Sequence, residues 1–479
     1  AAIQSALRQV SQPFIDREVM LALQGRGVLI YDGDLTGRPV ANSSTTYPNV
    51  AFGWMSEAVH LGYQAALVSM HSPTYGRLWL SVEQHPGDTV SVTQAAALVQ
   101  AAEAQTGARP WRRTDLLAAR LASVKSQLQT AEMELEDAQA RLAQTRQRLD
   151  QLTHELVVWQ QRLAELTEDY HRRGRPERPH SRLAQARRGL QLRERRWPRR
   201  CRDLDRDFRR WERRQRRVEL LQAERQTLEQ RLAQFTEDNR TNPWPIRAIF
   251  RLDGGFGSGP NVALLIEMGY DVYSKASDGR VIRAYRRQVT ATTPWTRVGQ
   301  NSEVITWGNV RITHCPYPLD VALERFHTGA KQRHAVLLHY GETPVRSDPG
   351  SWFEFYNGRQ DIEAGIKEGK NVFQMHHLKV RSPAGLPIQE QFAAFAANFV
   401  RWAAAWLHEM CPAAPAPFGQ AQANVKRLVR IAANTSAWVI GQPQSWLLKF
   451  TELSAFAEVE LVLRDSAPLQ LALPFFEKL

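Results

Sequence analysis

Cysteine is scarce: the chain has three in 479 residues, Cys201, Cys315 and Cys411, far apart from one another. Such spacing excludes a disulfide framework and a zinc knuckle, which need closely set pairs, and predicts a reducing interior. No run of about eighteen uninterrupted apolar residues occurs, so no segment reads as a membrane-spanning helix. Ala1 to Val10 lacks the pattern of a secretory signal, and the first methionine is Met20, so a preceding N-terminal segment is expected. The glycine run after Asp253 is not followed by lysine where a P-loop requires it, which argues against a nucleotide site. These absences predict a soluble protein of the cytosol.

What is abundant is positive charge. The formal charge is +13 and the isoelectric point near 9.9, which points to a polyanionic partner, since cations that neutralise phosphates release condensed counterions. The charge is concentrated. Arg172 to Arg217 holds about twenty arginines against about six acids, and the remaining chain is close to neutral. A length of 479 residues implies two to four structural units.

Gly27 to Thr36 (GVLIYDGDLT) reads as a buried strand, with further strands at Gly62 to Met70 and Arg77 to Gln84, and a helix over Ser91 to Ala104. Almost no helix is visible before Gly27. Leucine then recurs every seventh residue at Leu121, Leu128, Leu135, Leu142, Leu149, Leu156 and Leu163, with Val124, Ala131, Ala138, Thr145, Leu152, Trp159 and Leu166 offset by three. That is a heptad seam. HRRGRPERPH, from His171 to His180, breaks it, and a second seam runs through Leu183, Leu190, Trp197, Leu204, Trp211 and Val218 before shifting phase to Leu221, Leu228 and Phe235. An antiparallel helical hairpin is predicted, with arms of about 75 Å and a kink at Pro198. Beyond it, Ile246 to Asp253 is a strand, Pro260 to Met268 a helix, and Gly269 to about Tyr340 mostly β; helices return from Trp352.

In YNGRQDIEAGIKEGK, from Tyr356 to Lys370, a continuous helix would place Tyr356, Arg359, Glu363 and Lys370 within an arc of about 60°. This array suits a carboxylate holding a metal ion beside cations and a phenol that contact phosphate. It suits equally a surface helix with an Arg359–Glu363 ion pair. The spacing of these four residues resembles the Tyr-Arg-Glu-Lys signature of bacterial insertion-sequence transposases of the DDE class and matches at all four positions. The resemblance implies a ribonuclease H-like core with one aspartate on the first strand, a second after the fourth strand, and the glutamate on a later helix. FRLDGGFGS, Phe250 to Ser258, resembles the second-aspartate motif and assigns that role to Asp253. Asp32 and Asp34 share a strand face. The resemblance favours Asp34, because Thr36 follows it as in the family pattern, with Asp32 as the alternative.

The fold expected is therefore α/β: a ribonuclease H-like catalytic core interrupted by a coiled-coil hairpin and by a mostly β insertion subdomain. The divisions are 1–110, first half of the core; 111–240, hairpin; 241–270, core continued; 271–350, β insertion; and 351–479, the Glu-bearing helix and C-terminal region. Three clustered carboxylates, Asp34, Asp253 and Glu363, need cations, and the resemblance implies two Mg2+ or Mn2+ ions. It also implies double-stranded DNA as partner, both element terminal inverted repeats and target, and a homodimer in a synaptic complex associated with the bacterial nucleoid. A tryptophan of the β insertion receives a flipped base in related enzymes; Trp307 is the candidate and Trp295 the alternative. The adjacent His376 and His377 point about 100° apart on a helix and are read as ordinary residues. Two roles for the hairpin stay open: a sequence-independent DNA clamp through Arg199, Arg200, Arg209, Arg210, Arg213 and Arg214, or heptad pairing between subunits. A catalytically inactive DNA-binding protein and an arginine-rich coiled-coil scaffold are the rival functions.

Overall fold

The computed structural model describes residues 2–410, apart from 56, 330, 376 and 377, together with 425–433, 436–442, 445–451 and 460–464. His376, His377 and Cys411 lie outside the described residues. The chain divides into two compact units, Arg113–Arg240 and the remainder.

The larger unit begins with α1 (Ala2–Arg26), a helix the sequence reading missed. Its buried positions are Ser11, Ile15, Glu18, Val19 and Ala22. Two of these five are polar, and Pro13 sits within the helix, so the apolar period is diluted. Glu18 is accommodated because its Oε2 accepts from the Ser72 hydroxyl at 2.5 Å and the Thr74 amide at 3.0 Å.

Next come β1 (Val28–Pro39), β2 (Ala51–Met55), β3 (Ala58–Ser72), β4 (Gly76–Pro86) and α2 (Ala95–Thr106). After the hairpin follow β5 (Arg247–Leu252), α5 (Gly259–Glu267), β6 (Asp271–Lys275), α6 (Gly279–Arg286), β7 (Thr296–Arg297), β8 (Ser302–Val310), β9 (Leu319–Thr328) and β10 (Lys331–Tyr340). These strands make one ten-stranded mixed sheet in the order β2-β3-β1-β5-β6-β10-β9-β8-β7, with β4 also paired to β3. β1 is antiparallel to β3 and parallel to β5, and β5 is parallel to β6. The strands of the segment expected as a β insertion therefore continue the core sheet through the antiparallel β6–β10 pair.

Alternation along β1 sends its residues to two faces. Leu29, Tyr31 and Gly33 face one side; a Cβ on Gly33 would meet Leu252 at 2.7 Å and Leu98 of α2 at 3.2 Å, so that side admits no larger residue there. Ile30 faces the other, in a cluster with Ile249, Tyr273, Leu337, Trp352 and Tyr356. On this second side lie α7 (Pro349–Asn357), α8 (Gln360–Asn371) and α9 (Gly385–Met410). Ile362 and Ile366 of α8 and Ala393, Ala394 and Ala397 of α9 pack on Ala65, Leu67, Trp79 and Val82. Asn398 clips α9 to β4, exchanging two 2.9 Å hydrogen bonds with the backbone of Trp79. The described C-terminal residues add α10 (Val425–Ala433) and an antiparallel sheet of β11 (Ala437–Gln442), β12 (Ser445–Phe450) and β13 (Glu460–Arg464).

The smaller unit is the predicted hairpin. The label α3 denotes Thr114–Arg172 and α4 denotes Arg182–Arg240, 59 residues each, or about 90 Å per arm. The α4 helix runs unbroken through Pro198. Cross-arm pairs establish the antiparallel sense: Arg120–Glu224 at 2.7 Å, Thr145–Asp207 at 2.8 Å and Glu155–Arg193 at 2.7 Å climb along α3 as they descend along α4. Buried seam residues are Leu121, Val124, Leu128, Ala131, Ala138, Thr145 and Leu152 on α3, and Leu183, Leu190, Val218, Leu221, Leu228 and Phe235 on α4. Leu135, Leu142, Leu149, Leu156 and Leu163 are only half-buried. No helix among the described residues is long and apolar enough to cross a membrane.

Burial predicts the rank of seam substitutions. Leu228→Ala, at 1% exposure, should cost about 2–5 kcal/mol, and Leu156→Ala less than half as much, both read by urea unfolding followed through helical circular dichroism. The reverse order would mean that burial does not set the energetic weight of the seam positions.

Candidate active site

The parallel register of β1 and β5 sets Asp32 beside Arg251 and Gly33 beside Leu252. One step further, Asp34 continues β1 on the face that carries α7 and α8, while Asp253 is the first residue beyond β5, close enough for its charge to act on Asp34. Beyond Asp253 the chain turns sharply. Gly257 closes on the carbonyl of Lys275 so tightly that no Cβ fits, and Asp253 Oδ1 accepts from the Gly255 amide at 2.9 Å.

Asp32 and Asp34 share a face but not an environment. Arg251 binds Asp32 with both prongs of its guanidinium, Nε–Oδ1 at 2.6 Å and Nη2–Oδ2 at 2.7 Å, and both side chains are about 4% exposed. Arg251 Nη1 also donates to the carbonyl of Phe355 at 2.7 Å. That carbonyl is the one the Arg359 amide would take in a continuous helix. Arg359 instead bonds Tyr356 O at 3.1 Å, and Asp361 and Ile362 make similar three-residue bonds to Gly358 and Arg359. The expected single helix from Tyr356 to Lys370 is therefore two: Tyr356 lies in the last turn of α7, Arg359 is the N-cap of α8, and Glu363 and Lys370 lie along α8.

Arg359 links two of the three carboxylates. Its Nη2 is 2.6 Å from Glu363 Oε1 and its Nη1 3.5 Å from Asp34 Oδ2. Burial alone would lower its pKa, but Tyr356, Asp34, Asp253 and Glu363 outweigh that and hold it above the ordinary arginine value. Asp34, 9% exposed, is pushed up to about 6: burial is the main cause, Asp253 and Glu363 add to it, and Arg359 and the Leu35 amide oppose it. Lys370 donates to the Thr36 hydroxyl at 2.9 Å, and its pKa is lowered by burial and by Arg38.

The remaining sequence candidates fall outside this cluster or in a different role. Tyr356 is 4% exposed, and its hydroxyl donates to the Leu252 carbonyl at 3.2 Å, where it holds the backbone before Asp253. Burial raises its pKa well above the usual phenol value. Trp307 on β8 packs on Tyr285 with ring centroids 4.8 Å apart, and the Arg325 guanidinium lies 4.0 Å over Trp295; among the described residues neither tryptophan touches the three acids. On α4, Arg199, Arg209, Arg210 and Arg213 are exposed, whereas Arg200 and Arg214 are half-buried, Arg214 donating to the Glu134 carbonyl at 2.5 Å. Two residues near the acids escaped the sequence reading. Arg251 is one. Lys275, whose Nζ lies 5.4 Å from the Tyr356 ring and 3.3 Å from Glu324, is the other; its only sequence signal is its place at the end of the strand after Asp253.

As they lie, no three acidic, histidine or cysteine side chains among the described residues are close enough to grip one ion, because Arg359 stands between Asp34 and Glu363. The donor set nonetheless fits a hard divalent cation. It offers carboxylate oxygens, and the burial of Asp34, with smaller contributions from Asp253 and Glu363, disfavours its charged form and leaves a demand for positive charge.

Two substitutions test these environments. Arg251→Met strands a buried carboxylate and should cost about 3–5 kcal/mol in urea unfolding, with a second change, Asp32→Asn, recovering much of it; a loss below about 1 kcal/mol would mean that the pair is dispensable. For Asp34, a folded pKa of about 6 against an ordinary 3.8 means that the folded state favours the protonated form. The stability this confers is complete below about 3.8 and is lost as pH rises through about 6. Asp34→Asn should therefore stabilise the metal-free protein on the order of 1–3 kcal/mol at about pH 8 and hardly at all at about pH 4. Equal effects at both would remove the charge repulsion from the account.

No protein-family model matches the chain, and no curated protein matches it.

Proposed function

We propose that the chain is a DNA transposase of the DDE class, with Asp34, Asp253 and Glu363 as its carboxylate triad. The observation that carries this reading is that Asp34 on β1 and Asp253 just beyond β5 each follow the last pair of two parallel strands, Gly33 with Leu252, with Glu363 tied to Asp34 through Arg359. The strand order supports it. Leaving β2 aside, β4-β3-β1-β5-β6, with only β3 antiparallel among β3, β1, β5 and β6, is the third-second-first-fourth-fifth order of a ribonuclease H-like sheet, and the two aspartates fall on its first strand and after its fourth. Asp32, engaged by Arg251, is the weaker candidate for the first carboxylate.

In this mechanism Asp34, Asp253 and Glu363 would hold two Mg2+ or Mn2+ ions, which supply activation of the attacking oxygen and stabilisation of the leaving one at phosphorus. The chain's own groups arrange the rest. Arg359 offers a planar guanidinium suited to two phosphate oxygens, and its present contacts with Asp34 and Glu363 are those a bound phosphodiester would share. Lys370, held by Thr36, and Lys275, beside Tyr356, add two cations near the acids. Tyr356 fixes the backbone at Leu252 and so the position of Asp253. Hydrolytic cleavage at element ends and strand transfer to target DNA would share one site, in a homodimeric complex in the bacterial cytosol.

The test is Mn2+-dependent cleavage of DNA carrying the gene's own flanking ends. The native chain should cut at the element boundary, while Glu363→Gln binds the same DNA and cuts about a hundredfold or more slower. If both bind and neither cuts, the protein is a DNA-binding descendant without catalysis.

A further inference from the structure

A second series rides on the heptads of α4. Arginine stands at Arg188, Arg195, Arg202, Arg209 and Arg216, and again at Arg199, Arg206 and Arg213, each row spaced by seven. Measured from the seam of Leu183, Leu190, Leu204 and Val218, the two rows sit about 60° apart, and their middle is turned about 160° from the middle of the seam. All eight side chains are exposed. The seam faces α3 while the arginines face away from it, so the hairpin's packing and its charge occupy opposite sides of one helix.

We propose that this outer face of α4 binds the phosphate backbone of double-stranded DNA without regard to sequence. The face is costly as a mere solvated surface. Arg195, Arg199, Arg202, Arg206, Arg209, Arg213 and Arg216 follow one another at three- and four-residue steps, where like charges weaken a helix. Their partners are few and local. Arg206, Arg209 and Arg216 pair with Asp203, Asp205 and Glu212 one turn away, at 3.0, 3.0 and 2.9 Å, exposed contacts that phosphate can replace. Arg195, Arg199 and Arg202 make no ion pair or hydrogen bond among the described residues. Every cation of the two rows is arginine, whose fork matches phosphate oxygens.

Length selects the duplex. From Arg188 to Arg216 the helix advances about 42 Å, slightly more than one turn of B-DNA, and both bodies are stiff on that scale. A single strand would want aromatic platforms interleaved with the cations, and the two rows contain none.

The test uses the full chain and a duplex of about 30 base pairs with random sequence, followed by fluorescence anisotropy across a salt series without divalent metal. The variant carrying Arg195→Gln, Arg199→Gln and Arg202→Gln should bind at least about tenfold more weakly near 0.15 M salt, with the slope of log K against log salt reduced by about 2 to 3. A control removes equal charge from exposed arginines of the other arm, through Arg141→Gln, Arg146→Gln and Arg148→Gln, and should lose far less. Circular dichroism checks that both variants remain helical. Equal losses in the two variants, or tighter binding of a single strand or an RNA duplex of the same length, would overturn the proposal. The readout needs no cleavage, so Glu363→Gln should bind this random duplex like the parent. Failure of the carboxylate reading and failure of the arginine face therefore give different results.

Discussion

The two-pronged ion pair between Arg251 and Asp32 fixes three things at once. It joins residues that are register partners on β1 and β5, and a slip of one residue would turn Arg251 to the opposite face. The register that brings Asp34 near Asp253 is thus the one this pair permits. The third nitrogen of the same guanidinium takes the Phe355 carbonyl and so ends α7. Without that bond the helix would run on, and Arg359 would have no reason to reach across to Asp34. A buried ion pair is a doubtful source of net stability. Here its value is geometric, since it selects one strand register and one helix break out of several compatible with the same apolar pattern.

Around that frame the site is built against its own electrostatics. Burial, helped by two other acids, raises the pKa of Asp34, and among the described residues Arg359 is the cation that reaches both Asp34 and Glu363. Apolar neighbours such as Ile362 and Ile366 seat α8 firmly on β3 and β4, so the acids cannot relax apart by moving the helix. The packing of α8 supplies the free energy that holds the charges together. That is the usual relation between a stable scaffold and a strained functional cluster.

Much of this was legible in the sequence, for identifiable reasons. The hairpin was readable to within a few residues because its heptads repeat over 59-residue helices, and a long period is hard to imitate by accident. Strands β1, β3 and β5 were readable as continuous apolar runs. α1 was not, because Ser11 and Glu18 occupy its buried stripe, Ser11 satisfied by the Leu7 carbonyl one turn back and Glu18 by Ser72 and Thr74, which lie far away in sequence. The break between α7 and α8 was invisible for the same reason: its cause is Arg251, about a hundred residues upstream of Phe355. The continuity of the β-rich segment with the core sheet depends on the pairing of β6 with β10, which no local pattern encodes. Of the acidic and basic cluster, residue types and spacing offered Glu363, Arg359 and Lys370 equally as a site or as a surface helix; choosing the site, assigning Asp253 and separating Asp34 from Asp32, which alternation places on one face, all needed a resemblance.

The distribution of charge gives the last step. The arginine-rich stretch carries at least the whole formal +13, so the rest of the chain is near neutral. If the proposed function holds, affinity and chemistry belong to separate units: the first would be diffuse, dependent on salt and independent of metal, while the second would be local and dependent on metal. Segregating the arginines onto a helix whose other face is already occupied by its own partner arm leaves the carboxylates to the few cations of their own unit, Arg359 foremost.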